Sequence, residues 1–132
     1  NEKNLTGFAC MGSALFKSLF INEKPRIALL NVGLEEYKGN DVLKKTFSIL
    51  KENKMKNFEF IGYIEGNHIM DGNVDVIVTD GFTGNIALKT AEGTANFISK
   101  NLKNSLSKLS LLLSYSSLKK FKDKLDPRLR QL

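Results

Sequence analysis

The sequence predicts an α/β fold built on a parallel sheet, and three observations carry that prediction. Short apolar runs, "RIALLNV", "FEFIGYI" and "VDVIVT", alternate with segments whose apolar residues recur at spacings of three and four. Nearly continuous apolar runs suit strands covered on both faces, as in parallel sheets. The first two runs are separated by one helix-length segment, as a crossover between parallel strands requires, and the third runs into a glycine-rich turn that opens a helix.

Taken in order, residues 8–21 place Phe8, Met11, Leu15 and Leu19, with Phe16 and Phe20, at helical spacing, so a helix packed on the core through these side chains is expected. Pro25 is expected to end it, and Ile27 to Val32 to form the first strand, closed by Gly33. Asn40 is a candidate N-cap for an amphipathic helix over 41–53, whose inner face reads Leu43, Thr46, Phe47 and Leu50. Residues 58–64 form the second strand and Val74 to Thr79 the third. A helix then starts near Asn85. Its face Ala87, Ala91, Ala95, Ile98, Leu102, Leu106, Leu109 and Leu113 is spaced at three and four throughout, and would measure about 40 Å if continuous. The alanines suit close packing on the sheet, and the later leucines need another surface. "SYSS" at 114–117 breaks the pattern before Leu118, Phe121 and Leu125 resume it, which predicts a projecting helical hairpin over 100–125 within a single domain 1–132.

Bulk properties narrow the function classes. With 132 residues and 42% hydrophobic content the chain can enclose one core. It offers no apolar stretch of the roughly 18 residues a membrane helix needs and no secretory-signal order at its start, so it reads as intracellular. The chain begins at Asn1 rather than Met, which is expected of a processed chain, a trimmed one or a piece of something longer. A lone Cys10 excludes an internal disulfide, and no Cys/His cluster has metal-ligand spacing, so no metal or cofactor is expected. The net charge of +6 is concentrated at one end: residues 1–99 hold eleven Lys/Arg against twelve Asp/Glu, whereas 100–132 hold nine against two. That basic tail points to an anionic partner or to a solvated charged face. It carries no nucleic-acid-reading motif, and Tyr115 and Phe121 form no stacking series.

Two loops stand where ligands of open α/β sheets bind, beyond the carboxyl ends of strands: "NVGLEEYKGN" after the first strand and "DGFTGN" after the third. Gly33, Gly39, Gly81 and Gly84 permit close backbone approach, and Asn31, Lys38, Asn85 and Lys89 are donors without negative charge. Free amides at a helix start near Asn85 would add to an oxyanion site. The same glycines and asparagines are equally the residues of ordinary sharp turns. Glu35, Glu36 and Asp80 could accept a proton, hold a lysine or cap a turn, and for Asp80 the cap is favoured. His68 and Cys10 have no partner in sequence and read as structural or surface residues.

The blocks "PRIALLNVGLEEYKGN", "IEGNHIMDGNVDVIVTDGFTGNIALKTAEG" and "LKKFKDKLDPR" resemble the carboxyl-terminal half of the acyl-carrier-protein:phosphate acyltransferases (PlsX) of bacterial phospholipid synthesis. Many members carry Arg-Asp where this chain has Asn67 and His68. The resemblance implies a three-layer α/β/α fold with a mostly parallel sheet, related to phosphotransacetylases and isocitrate/isopropylmalate dehydrogenases, and a homodimer. It implies transfer of a fatty acyl group from acyl carrier protein to inorganic phosphate in the cytoplasm, giving acyl phosphate. On that basis Asn31, Lys38, Asn85 and Lys89 are expected to be the catalytic donors. Gly33, Glu35, Gly39, Asp80, Gly81 and Gly84 would shape the phosphate site. Leu106, Leu109, Leu112 and Leu113 with Lys119 and Lys120 would meet a dimer mate at the stem and an anionic membrane at the tip. The alternatives are a phosphotransacetylase-like enzyme and a non-enzymatic remnant that dimerises or binds membrane; no G-x-G-x-x-G turn supports a nicotinamide enzyme.

Overall fold

A computed structural model describes residues 1–21, 23–52, 57–105, 110, 114–117 and 119–120. The chain divides into two compact units, Asn1–Asn85 and Ile86–Leu132.

The first unit is an α/β body. Its order is α1 (Glu2–Leu19), β1 (Arg26–Leu30), α2 (Asp41–Glu52), β2 (Glu59–Ile64), a single 3-10 turn at Gly66–His68, β3 (Val76–Val78) and the start of α3 (Gly81–Ser105). All strand pairings are parallel, in the order β2-β1-β3. The central strand is the most apolar, and Ile27, Ala28 and Leu29 are wholly buried. α1 packs on α2 and β3, while α2 packs on β2. One core joins Leu5 and Ala9 of α1, Ile27 and Leu29 of β1, Phe47 and Leu50 of α2, Tyr63 of β2 and Val78 of β3. Phe47 is its hub, edge-on to Phe60 and tilted against Tyr63 at centroid distances of 5.3 and 4.7 Å. The β1–β2 register slips at Ile61, and Gly62 absorbs that bulge with φ of 101°.

α2 forms as its sequence dictates. Asn40 Oδ1 accepts from the Leu43 amide at 2.9 Å, and Thr46, Phe47 and Leu50 are buried with Leu43 packed beside them.

α1 departs from expectation in both extent and face. It starts at Glu2, because Asn1 Oδ1 caps the Asn4 amide at 3.0 Å, and it ends at Leu19 rather than running to Pro25. Its inner stripe is Leu5, Ala9, Ser13 and Phe16, whereas Phe8, Met11, Leu15 and Leu19 are exposed. The reason is proximity. A Cβ on Gly12 would stand 2.6 Å from Val76 Cγ1, so the helix lies too close to β3 for large side chains there, and small residues face inward.

α3 begins four residues before Asn85 and has no buried residue; Ala87 and Ala91 are half-buried and Ala95 is exposed. Residues 114–117 are helical, and residues 111–113 and 118 beside them, on which the expected hairpin depends, lie outside the described residues. Lys119 and Lys120 are helical and exposed. Leu106, Leu109, Leu112 and Leu113, like Leu118, Phe121 and Leu125, lie outside the described residues. Among the described residues, no helix is long and apolar enough to cross a membrane.

Candidate functional site

Parallel pairing decides where the two candidate loops go. Leu29 pairs with Val78 across β1 and β3, so the segments 31–40 and 79–85 leave neighbouring strands at the same, carboxyl end of the sheet. The chain passes from β1 to β2 on one side and returns to β3 on the other. The β1/β3 boundary is therefore a topological switch point, where open α/β sheets form a crevice.

At the opposite end the same two strands are clamped. Arg26 Nε and Nη2 donate to the two carboxylate oxygens of Asp75 at 3.0 and 2.9 Å, and its backbone N–H reaches Asp75 Oδ2 at 2.8 Å. The Asp75 side chain is only 4% exposed, and this bidentate pair raises the Arg26 pKa. The pair fixes the β1–β3 register that sets the two loops side by side. Sequence reading missed it, and the signal was an Arg and an Asp each standing at the entrance of an apolar run.

The β1–α2 loop is closed on itself by Asn31, which is 7% exposed. Asn31 Nδ2 donates to the Lys38 carbonyl at 3.2 Å, its Oδ1 accepts from the Val32 amide at 2.9 Å, and its backbone N–H reaches the Ile64 carbonyl at 2.9 Å. Gly39, with φ of 89°, lies against that amide; a Cβ there would stand 2.6 Å from Asn31 Oδ1. Inside the loop, Lys38 Nζ pairs with Glu35 Oε1 at 3.2 Å and both side chains stay partly open to solvent. A Cβ on Gly33 would strike the Lys38 stem at 2.5 Å and Glu35 Oε2 at 2.7 Å, so Gly33 makes room for this pair. The Glu35 carboxyl is held below its ordinary value, first by its own backbone N–H and then by Lys38. Glu36 turns away to Lys51 at 2.6 Å.

The β3–α3 loop is organised by Asp80. Its Oδ1 accepts from the Thr83 amide at 2.9 Å, its Oδ2 from the Thr83 hydroxyl at 2.6 Å, and its carbonyl from the Gly84 amide at 2.9 Å. The Thr83 side chain, followed by the Thr83 and Phe82 amides, lowers the Asp80 pKa. The first amides of α3 are thus largely taken by Asp80, which corrects the expectation of free amides near Asn85. Gly84 is demanded by space, since a Cβ would meet Thr79 Cγ2 at 2.7 Å, whereas Gly81 faces open space. Asn85, one turn into the helix, is exposed, and its side chain has no hydrogen-bond partner among the described residues. Lys89 belongs to the second unit, where it pairs with Glu92 at 2.8 Å.

The structure therefore sorts the expected residues by what their side chains already do. Asn31, Gly39, Asp80 and Gly84 hold the loops, whereas Lys38 pairs with Glu35 at the surface and the Asn85 side chain is exposed and unbonded among the described residues. The β2–β3 connection leaves the same end of the sheet. Within that connection, which returns to Arg26 at the amino end, His68 is not partnerless: Nδ1 meets Asp71 Oδ2 at 2.6 Å and Nε2 meets Asn67 Nδ2 at 3.1 Å, both on the surface.

Residues 1–131 match the family described as "Fatty acid synthesis protein". The chain belongs to that family. It is 58% identical over 134 residues to the phosphate acyltransferase of Pelagibacter ubique, covering 98% of this chain and 40% of the relative. It is 50% identical to the phosphate acyltransferase of Bartonella bacilliformis and 45% identical to that of Legionella pneumophila, covering 96% and 95% of this chain and 37% of each relative. The chain thus spans about two-fifths of the length of these relatives. Relatives so named are acyltransferases, and within the matched stretch this chain's first unit is a parallel α/β body.

Proposed function

We propose that this chain carries the phosphate-binding half of an acyl-carrier-protein:phosphate acyltransferase, which moves a fatty acyl group from a carrier thioester to inorganic phosphate. The observation that supports it best is the emergence of the 31–40 and 79–85 loops side by side at the β1/β3 switch point, in a chain whose relatives are named phosphate acyltransferase.

The chemistry asks for positioning more than for a protein nucleophile. An oxygen of hydrogen phosphate attacks the thioester carbonyl, and the tetrahedral oxyanion collapses with cleavage of the carbon–sulfur bond. The phosphate proton passes to the departing thiolate, leaving acyl phosphate and a free carrier thiol. Lys38 supplies the cation that offsets phosphate charge, exchanging part of its contact with Glu35 for the ligand. The Asn85 side chain donates to the phosphate or to the oxyanion. Asn31 acts at one remove: by fixing the Lys38 carbonyl it holds the loop that presents the ammonium. Asp80 does the same for Asn85 by anchoring the first turn of α3.

The excess of Lys/Arg over residues 100–132 supports an acidic partner, for which acyl carrier protein is the proposed donor. We assign the same segment, with Lys119 and Lys120, to contact with a second copy and with anionic lipid, which makes the enzyme a peripheral cytoplasmic homodimer.

The test is a graft of residues 1–132 in place of the matching segment of the Pelagibacter ubique relative, assayed for acyl phosphate from an acyl carrier protein thioester. Lys38→Ala and Asn85→Ala are each expected to lower kcat on the order of 10²-fold. Unchanged rates in both contradict the assignment.

A further inference from the structure

The β1–α2 loop is closed on itself: Asn31 Nδ2 holds the Lys38 carbonyl, and the Lys38 amide donates to the Glu35 carbonyl at 3.0 Å. Neither bond fixes where the 35–38 turn lies against the rest of the first unit; that takes a contact leaving the loop. Glu36 provides one. Its Oε1 accepts from Lys51 Nζ at 2.6 Å, from a residue 15 positions away in the last turn of α2. Lys51 is placed in turn by the core, with its ammonium 5.5 Å from the centre of the Phe47 ring, and Phe47 packs on Tyr63 of β2. Burial first, and then the charge of Glu36, push the Tyr63 hydroxyl pKa up, so Glu36 lies within electrostatic reach of β2 as well.

We propose that Glu36 and Lys51 are positioning residues: their ion pair pins the 35–38 turn to the end of α2 and thereby sets where the Lys38 ammonium stands. This assignment rests on the phosphate-site reading above. Glu36 is two positions from Lys38 in the same turn, so release of the pair lets the turn swing from its root at Asn31 and carries Lys38, still joined to Glu35, with it. The helix itself does not depend on the pair, because Thr46, Phe47 and Leu50 already bury its inner face. Both partners are largely exposed, 59% for Lys51 and 63% for Glu36, and a pair of that kind is worth at most about a fivefold change in an equilibrium. The sign of the effect separates the pin from a field effect. If charge alone mattered, removing the Glu36 carboxylate beside an anion site would tighten anion binding. Loss of the pin weakens it.

The test compares the 132-residue chain with Glu36→Gln, Lys51→Gln and the exchanged pair Glu36→Lys/Lys51→Glu. Motion of the turn is read by ¹⁵N relaxation without phosphate, and affinity for inorganic phosphate by isothermal titration calorimetry at about 0.1 M ionic strength. Amide order parameters over residues 35–38 are expected near about 0.85 in the parent and the exchanged pair, and to fall toward about 0.6 in both single variants. Phosphate binding is expected to weaken about two- to fivefold in each single variant and to return to within about twofold of the parent in the exchanged pair. Both side chains are exposed, so circular dichroism should match the parent throughout. Unchanged order parameters in the single variants overturn the pin and leave the phosphate site standing, as does tighter or unchanged phosphate binding in Glu36→Gln. An exchanged pair as loose as the single variants also overturns it, because the ion pair is then not what holds the turn. A turn that loosens as expected in a chain whose parent form binds no phosphate overturns the phosphate site and, with it, the positioning role.

Discussion

Replacing Gly39 by alanine tests whether the Asn31 pinch organises the β1–α2 loop, the proposed phosphate loop. Two costs arise. At φ of 89° a side chain is strained, by about 1–2 kcal/mol for an L-residue in left-handed backbone. The new Cβ also stands 2.6 Å from Asn31 Oδ1, so the amide must move and give up its contacts to Val32 and Lys38, worth about 1 kcal/mol each. The sum is about 3–4 kcal/mol, read as a lower urea midpoint with unchanged slope. The decisive assay is a double-mutant cycle with Asn31→Ala, which removes the colliding oxygen. If the collision carries half the cost, the double variant is more stable than additivity predicts by about 1–2 kcal/mol. Additivity to within about 0.5 kcal/mol would refute the collision as the source, and a neutral Gly39→Ala would refute the loop geometry itself.

The clamp at the other end of the strands should show in Asp75→Ala. This change strips a nearly buried carboxylate from a partly exposed Arg26 and is expected to cost about 2–3 kcal/mol in chemical denaturation, below the range for fully buried pairs. Asp80→Ala, which uncaps α3, should cost about 0.5–2 kcal/mol by the same measurement. Because the folded Asp80 pKa is lowered, its contribution is fully present above the ordinary aspartate pKa and is lost as pH falls through the lowered value. Asp80→Asn should remove that part of the acid dependence, and a carboxyl titration followed by NMR should find Asp80 below an ordinary aspartate. Tyr63→Phe removes a buried hydroxyl with no hydrogen-bond partner among the described residues, so stability should hold or rise by up to about 1 kcal/mol; a larger loss would reveal a bonded hydroxyl.

These predictions divide along the line between what local sequence carries and what only the assembled fold supplies. α2 was legible because a cap, a period and a buried face coincide in one stretch, Asn40 to Leu50. The strands were legible because both faces of β1 are covered, and parallel pairing then implied that their loops share an edge. α1 was misread because large apolar residues dominate a period count, while the face that lies closest to the sheet is made of Ala9, Gly12 and Ser13. The start of α3 was missed because Gly81 and Gly84 look like turn residues, although Asp80 with Thr83 three positions on is a cap signal. Asn31 looks in sequence like a ligand donor; only the folded loop reveals that its side chain is already bonded, whereas the cap favoured for Asp80 is what the folded loop contains. The Arg26–Asp75 pair joins residues 49 positions apart and exists only once β3 is in register with β1.

The measurement that bears most directly on the proposed phosphate cradle is a ¹⁵N-resolved NMR titration of the chain with inorganic phosphate at constant ionic strength. The account predicts saturable shifts that move together at the Lys38 ammonium, the Asn85 side-chain amide and the Gly81 backbone N–H, with Arg26 and α1 unmoved. Shifts confined to Arg26 or to the basic residues beyond Ser105, or none at all, would contradict it.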